Sequence, residues 1–252
     1  MNSSGLVSSI TRQGFWLFRW RSYLPIAVIP FVAMAIVEGE QVRSLFGETV
    51  SLLWNVSAIV IAFAGLAMRA TIVGFVPNGT SGRNTASQIA ETLNQTGAYS
   101  LCRHPLYFAN FVIFTGILML AQSLWLTLAS TLAYWMYYER IICAEEDFLR
   151  QKFGEVFRKW SAATPAVFPN LKGWVKPELS FSFRTVLRRE YSTMFLIVAA
   201  ISVLSWVKYI VAGDSPFAHL GTIAFFAIGA TLYCAMRTIK RRTDWLRVAG
   251  RS

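Results

Sequence analysis

The sequence has few charged residues, and few of those are acidic. Charged side chains make up 15% of the 252 residues, whereas soluble domains have roughly 25%. Hydrophobic residues make up 55%, and they gather in blocks long enough to cross a bilayer. This composition excludes an ordinary soluble domain. We therefore expect an all-α fold, a polytopic transmembrane helical bundle.

Cysteine and histidine are also scarce. The three cysteines, Cys102, Cys143 and Cys234, are far apart, and the two histidines are His104 and His219. The sequence lacks the C-x-x-C pairs and Cys/His spacing of a structural zinc site, so we expect no bound metal. Cys102 adjoins a charged cluster, but we interpret it as a small apolar filler rather than a reactive thiol.

Basic residues outnumber acidic ones by 24 to 13, which gives a net charge of +11. A nucleic-acid-binding domain would carry this charge on one face of a soluble fold. Here the basic residues lie between the hydrophobic blocks, as in loops that face anionic lipid. We therefore expect a lipid bilayer and no nucleic acid as partner. We also expect an integral protein of the bacterial inner membrane with both termini cytoplasmic.

Six hydrophobic blocks give about six predicted spans: residues 23–37, 50–75, 106–121, 124–143, 192–212 and 217–236. Only Gln122 and Ser123 separate the third block from the fourth, which predicts a tight helical hairpin. The first block is short and contains Pro25 and Pro30, so whether it spans is left open.

The chain divides into three predicted parts. Residues 1–68 form N-terminal membrane helices, residues 69–169 form a core that carries the motifs described below, and residues 170–252 form an amphipathic segment and two further membrane helices. Within the core, the polar region 71–99 is interpreted as a loop leading into a site, and 153–169 as an interfacial or lid segment.

Two clusters of ionisable residues lie at the ends of the predicted hairpin, which brings them together. Arg103, His104 and Pro105 precede its first helix, while Glu145 and Glu146 follow its second apolar block. Pro105 suits a first helical turn, so His104 lies near the N-cap, where the helix dipole and the arginine favour an anion. The two carboxylates suit an ammonium or a sulfonium. On these residues alone, the alternative is that the two clusters pair structurally or anchor to headgroups.

The motifs occur in a fixed order along the core. Gly-x-Tyr begins at Gly97, Arg-His-Pro-x-Tyr begins at Arg103, and Glu-Glu-x-x-Leu-x-x-x-Phe-Gly begins at Glu145. This order resembles the isoprenylcysteine carboxyl methyltransferase and phospholipid methyltransferase superfamily of integral membrane enzymes. Two departures are Ala109-Asn110, where many members have a glycine, and Phe157, where many have tyrosine.

The resemblance implies S-adenosylmethionine as methyl donor, held in a cytoplasmic cofactor pocket. The cofactor-binding positions that it implies are Gly97, Tyr99, Arg103, His104, Pro105, Tyr107, Glu145 and Glu146. It also implies a methyltransferase that acts on a lipid or lipid-linked acceptor at the cytoplasmic membrane face.

The chemistry of the acceptor decides which residues are catalytic. A carboxylate or phosphate needs no general base, and Arg103 or a cation of the lid segment such as Arg158 would orient it. An amine or hydroxyl acceptor needs a base, for which His104 and Glu146 are the candidates. We expect an anionic acceptor, because the basic face would recruit it.

Two other functions remain as alternatives. An NADPH-dependent sterol-type membrane reductase has a similar hairpin, but its motif resembles Arg-His-x-Asn-Tyr, whereas Pro105 and Leu106 stand here. The second alternative is a non-catalytic membrane scaffold of the same fold.

Overall fold

The computed structural model describes residues 5–21, 23–77 and 90–251, and every regular element in these ranges is helical. The predicted all-α class is confirmed. The α-helices are α1 (Gly5–Trp20), α2 (Ile29–Val37), α3 (Gln41–Phe75), α4 (Ala98–Leu101), α5 (Pro105–Met119), α6 (Leu124–Phe153), α7 (Glu155–Ala163), α8 (Phe183–Val211) and α9 (Leu220–Arg242). Short 3₁₀ turns cover Leu24–Val28, Leu171–Gly173 and Pro216–Ala218. Of the predicted loop 71–99, residues 78–89 lie outside the described residues, residues 71–75 are instead the end of α3, and residues 98–99 begin α4.

Three helices, α3, α8 and α9, are long and apolar enough to cross a membrane. Two shorter apolar helices, Ile26–Val37 and α5, accompany them. The first hydrophobic block becomes a 3₁₀ turn followed by the nine residues of α2. At 1.5 Å per residue, α2 is about 14 Å long, roughly half of a hydrocarbon core of about 30 Å.

The predicted hairpin is formed by α5 and α6. Its turn places Gln122 at φ 55°, and Ser123 caps α6 by accepting a hydrogen bond from the amide of Leu126 at 3.4 Å. The side-chain oxygen of Gln122 accepts a buried hydrogen bond from Ser51 at 2.9 Å. Helix α6 runs ten residues beyond the apolar block, to Phe153, so both glutamates lie on a continuous helix rather than in a loop.

Three regions differ from the simple block pattern. Helix α1 was not predicted, and it packs against α6. Residues 41–49, expected as part of a loop, are helical and join α3 across a break at Gly47, whose φ of 83° disfavours other residue types. The predicted amphipathic segment is in part the first turns of α8, which begins at Phe183.

Helices α3 and α5 pack so closely that glycine is required at their contact. A Cβ atom at Gly116 would lie 2.5 Å from the backbone nitrogen of Ala62 and 2.7 Å from the carbonyl oxygen of Ala58. A Cβ atom at Gly65 would lie 2.8 Å from the amide nitrogen of Ile113. Small residues at helix contacts are typical of membrane bundles. This contact fixes α5, whose first turn carries the Arg-His-Pro motif.

Helix α8 packs on α3, with an ion pair near each end. Near its start, Glu190 pairs with Arg69 of α3 at 2.8 Å. Near its far end, Lys208 pairs at 2.8 Å with Glu40, which immediately precedes α3. Glu190 and Lys208 lie about 27 Å apart along the helix axis, close to the thickness of a hydrocarbon core. The apolar stretch between them has the length of a membrane span.

The close contact of α3 and α5 predicts a steric effect at Gly116. Gly116→Ala should destabilise the protein by about 1–3 kcal/mol, because the methyl group meets backbone atoms that cannot rotate away. Thermal unfolding of the purified protein in detergent measures this. Gly221→Ala in α9 is the control, since a Cβ there has no neighbour within 4 Å. An equal melting temperature for the parent and Gly116→Ala would contradict the packing.

Candidate functional site

The Gly-x-Tyr motif is held by a compact turn against the segment after α7. Gly97 has φ 61° and ψ −133°, and a Cβ there would lie 3.2 Å from the ring of Pro177. The hydroxyl of Ser100 donates to the carbonyl of Gly97 at 2.7 Å and accepts from the amide of Val175 at 2.9 Å. These bonds fix the single turn of α4 that carries Tyr99, and burial raises the pKa of that tyrosine well above its ordinary value.

The Arg-His-Pro motif begins α5 as its sequence predicts. His104 is the N-cap and Pro105 occupies the first turn. The amides of Arg103 and His104 donate to the carbonyls of Pro165 and Ala166, each at 2.9 Å. The predicted lid segment therefore contains α7, and the residues after α7 form hydrogen bonds with the backbone of the motif.

Arg103 donates three hydrogen bonds to protein groups. Its Nε donates to Glu146 Oε1 at 2.7 Å. Its NH1 group donates to the carbonyl of Ser161 at 2.8 Å and to that of Thr164. The sequence left open whether the two clusters form facing anion and cation sites or pair with each other, and the structure joins them by an ion pair. Low-dielectric surroundings favour this pairing, because either charge alone would be costly.

His104 lies between the two glutamates. Its Nε2 is 3.2 Å from Glu146 Oε1 and its Nδ1 is 3.4 Å from Glu145 Oε2, and the residue is buried. Burial alone would lower the pKa of the imidazole, but hydrogen bonds to the two carboxylates outweigh it and raise that pKa above its ordinary value. The two carboxylates therefore stabilise the protonated form of the ring relative to a free imidazole.

Aromatic rings line one side of this cluster. Tyr107 stacks on His104 with 5.7 Å between ring centroids and donates its hydroxyl to Glu145 Oε1 at 2.7 Å. Tyr138 lies 4.8 Å from Tyr107 and stacks on Tyr134 at 4.2 Å. The spacing of Tyr134 and Tyr138 places them on one face of α6, a signal that could have identified this tyrosine row.

Arg21 lies near the cluster although no motif predicted it, whereas Arg158, the proposed cation of the lid segment, lies away from it. Arg21, which follows α1, lies 3.9 Å from Glu145 Oε1 and over the ring of Phe18 at 4.1 Å. No motif signalled it, since it is far from the core in the sequence. Arg158 of the lid segment is largely exposed and pairs with Glu155 in its own helix, so its side chain does not join the cluster.

Two further groups complete the surroundings of the site. Cys102 is fully buried, and burial raises the pKa of its thiol to about 11. A thiol with this pKa stays protonated at neutral pH, which fits an apolar filler. Deeper in the bundle, Arg69 of α3 binds Glu190 of α8 and Asn110 of α5. No motif or spacing in the sequence predicted that these three residues contact one another.

The fold and the site define a class of membrane methyltransferase. Residues 57–156 match the family described as Phospholipid methyltransferase. This match covers α5, α6 and both charged clusters. The chain belongs to the isoprenylcysteine and phospholipid methyltransferase superfamily, as its motifs indicated.

Two curated proteins show what the chain is similar to. Nickel-cobalt-cadmium resistance protein NccN of Alcaligenes xylosoxydans xylosoxydans is 31% identical over 170 residues, which cover 67% of this chain and 70% of that protein. Cobalt-zinc-cadmium resistance protein CzcN of Cupriavidus metallidurans is 41% identical over 80 residues, which cover 32% of this chain and 37% of that protein. No solved structure matches the chain.

The environment of His104 predicts a pH-dependent stability. Because its pKa is raised on folding, its contribution is fully present below the ordinary value of about 6.5 and is lost as pH rises through the folded pKa. The melting temperature of the parent should therefore exceed that of His104→Gln most at about pH 6, with the difference shrinking toward about pH 9. A difference that stays constant or grows with pH would contradict this assignment.

Proposed function

We propose that this protein is an S-adenosylmethionine-dependent methyltransferase whose acceptor is an anionic lipid or lipid-linked group at the cytoplasmic membrane face. The observation that carries the proposal is the cluster of Arg103, His104, Glu145 and Glu146 at one end of an apolar bundle. In a chain of this superfamily, such a cluster supplies paired carboxylates where a cationic donor must be bound.

The residues present fit the proposed donor. Its sulfonium and ammonium groups match the carboxylates of Glu145 and Glu146, which are more than three-quarters buried but retain some exposure. The indole nitrogen of Trp160 is buried without a hydrogen-bond partner in the described part of the chain, and Trp160 precedes in sequence Ser161, whose carbonyl accepts from Arg103. When bound, the donor supplies an electrophilic methyl group. Tyr99 and Tyr107 flank the cluster.

The protein residues act by holding and orienting rather than by removing a proton. Arg103 fixes the carboxylate of Glu146 through its ion pair, and Tyr107 fixes that of Glu145. His104 is a poor general base while it stays protonated between these carboxylates. An acceptor that is already anionic needs no base, so this arrangement favours a carboxylate or phosphate oxygen over an amine or a hydroxyl. Catalysis then depends on in-line positioning.

The acceptor would approach from the bilayer beside α1. Arg21 adds a cation next to Glu145, and it is suited to orient an anionic group better than the exposed Arg158. The aromatic residues Trp16, Trp20 and Tyr23 are exposed on and after α1, as is typical of the membrane interface. This combination supports a lipid-borne acceptor.

The proposal predicts transfer of labelled methyl groups from S-adenosylmethionine to membrane lipids. Glu146→Gln should lower donor affinity about 10–100-fold, since a hydrogen bond to a charged group contributes about 1.5–3 kcal/mol. Tyr107→Phe should lower it less, because Glu145 keeps its other partners. Glu155→Gln, at an exposed position of α7, is the matched control. Absence of donor binding by the folded parent would contradict the proposal, and binding of a nicotinamide cofactor instead would support the reductase.

The two relatives favour a second, physiological proposal. Both are named for resistance to metals that include cobalt and cadmium, and we propose that methyl transfer by this chain contributes to such resistance. In a host strain lacking the gene, the parent should restore growth on cobalt and cadmium salts, and Glu146→Gln should not. Equal growth with both forms would show that resistance does not depend on the site.

A further inference from the structure

A buried ion pair lies deeper in the bundle than the charged cluster. Arg69 of α3 donates from Nε and NH2 to the two carboxylate oxygens of Glu190, both at 2.8 Å. Its NH1 donates to Asn110 Oδ1 at 2.6 Å. Arg69 and Glu190 are 9% and 4% exposed. The three residues tie together α3, α5 and α8.

The charges of this pair are costly to keep in an apolar bundle. Apolar side chains of similar size would often make the fold equally stable or more stable, so a purely structural role explains the pair poorly. Ionisable residues inside a membrane domain point to function, and their partners carry the same information. The bidentate geometry of Arg69 and Glu190 sets the orientation of the guanidinium as well as its position.

The pair is placed to act on the first turn of α5. Asn110 follows Tyr107 by about one turn on this helix, and Tyr107 contacts both His104 and Glu145. Arg69 holds Asn110 in place, while Glu190 holds Arg69. Glu190 lies outside residues 57–156, the part of the chain that matches the family.

We propose that Arg69 and Glu190 are positioning residues, through which helix α8 fixes the first turn of α5 and thereby Tyr107 and His104 in the donor site. Helix α8 is then part of the methyltransferase and not an appendage to it. This proposal rests on the function proposed above.

The decisive variant is the double replacement Arg69→Met with Glu190→Leu. It removes both charges together, so no buried charge is left alone and the protein should keep a melting temperature near that of the parent. Asn110 loses its partner, so the dissociation constant for S-adenosylmethionine should rise and turnover per folded molecule should fall about 100-fold. The matched control is Lys208→Met with Glu40→Leu, which removes the ion pair near the other end of α8 and should leave donor affinity unchanged.

Single variants separate charge from position. Glu190→Gln leaves Arg69 without a counter-charge and should lower both the melting temperature and donor affinity. Glu190→Asp keeps the charge and should restore part of each. If the Arg69→Met and Glu190→Leu double variant folds and binds the donor like the parent, α8 has no positioning role and this inference is wrong. If the parent itself binds no donor, the proposed function fails first, which makes the two failures distinguishable.

Discussion

The structure depends on the pairing of every charge that the apolar bundle encloses around its site. Arg103, His104, Glu145 and Glu146 neutralise one another within hydrogen-bonding range, because a single buried charge would be far more costly than a network. The need to bring these groups together explains the neighbouring structure. Helix α6 continues past its apolar part to present both glutamates, while α7 and the segment after it bind the backbone and side chain of Arg103.

The sequence was sufficient to predict the hairpin, the cap at the start of α5 and the meeting of the two clusters. These features follow from local rules: apolar block length, the fit of Pro105 to a first turn, and two residues between blocks. Pairing of the two clusters was one of the alternatives that the sequence left open, but the individual partners were not predicted, since side-chain partners depend on rotamers and on α7. Arg21 and Glu190 were missed because tertiary packing alone brings them close, across large separations in the sequence.

The pairing also bears on the chemistry that the site favours. An imidazole held between two carboxylates is suited to binding and orientation, and less to accepting a proton at neutral pH. A site of this kind favours an acceptor that arrives already ionised. In the function that we propose, the basic and aromatic residues of α1, together with Arg21, provide a route by which an anionic headgroup reaches the cluster from the bilayer. Helix α8 has a positioning role in the proposed site, because its buried Glu190 holds Arg69. Arg69 in turn holds Asn110 of α5, the helix that begins after His104.

The central claim is that this cluster is the methyl-donor pocket. Photo-crosslinking of the purified protein with S-adenosylmethionine, followed by peptide mapping, tests it directly. If the cluster is the methyl-donor pocket, label should appear in peptides that contain residues 97–107 and 138–149. S-adenosylhomocysteine should compete with this labelling, and Glu146→Gln should reduce it. Competed label that maps instead to α9 or to the end of the bundle near Lys208, or no competed label at all, would contradict it.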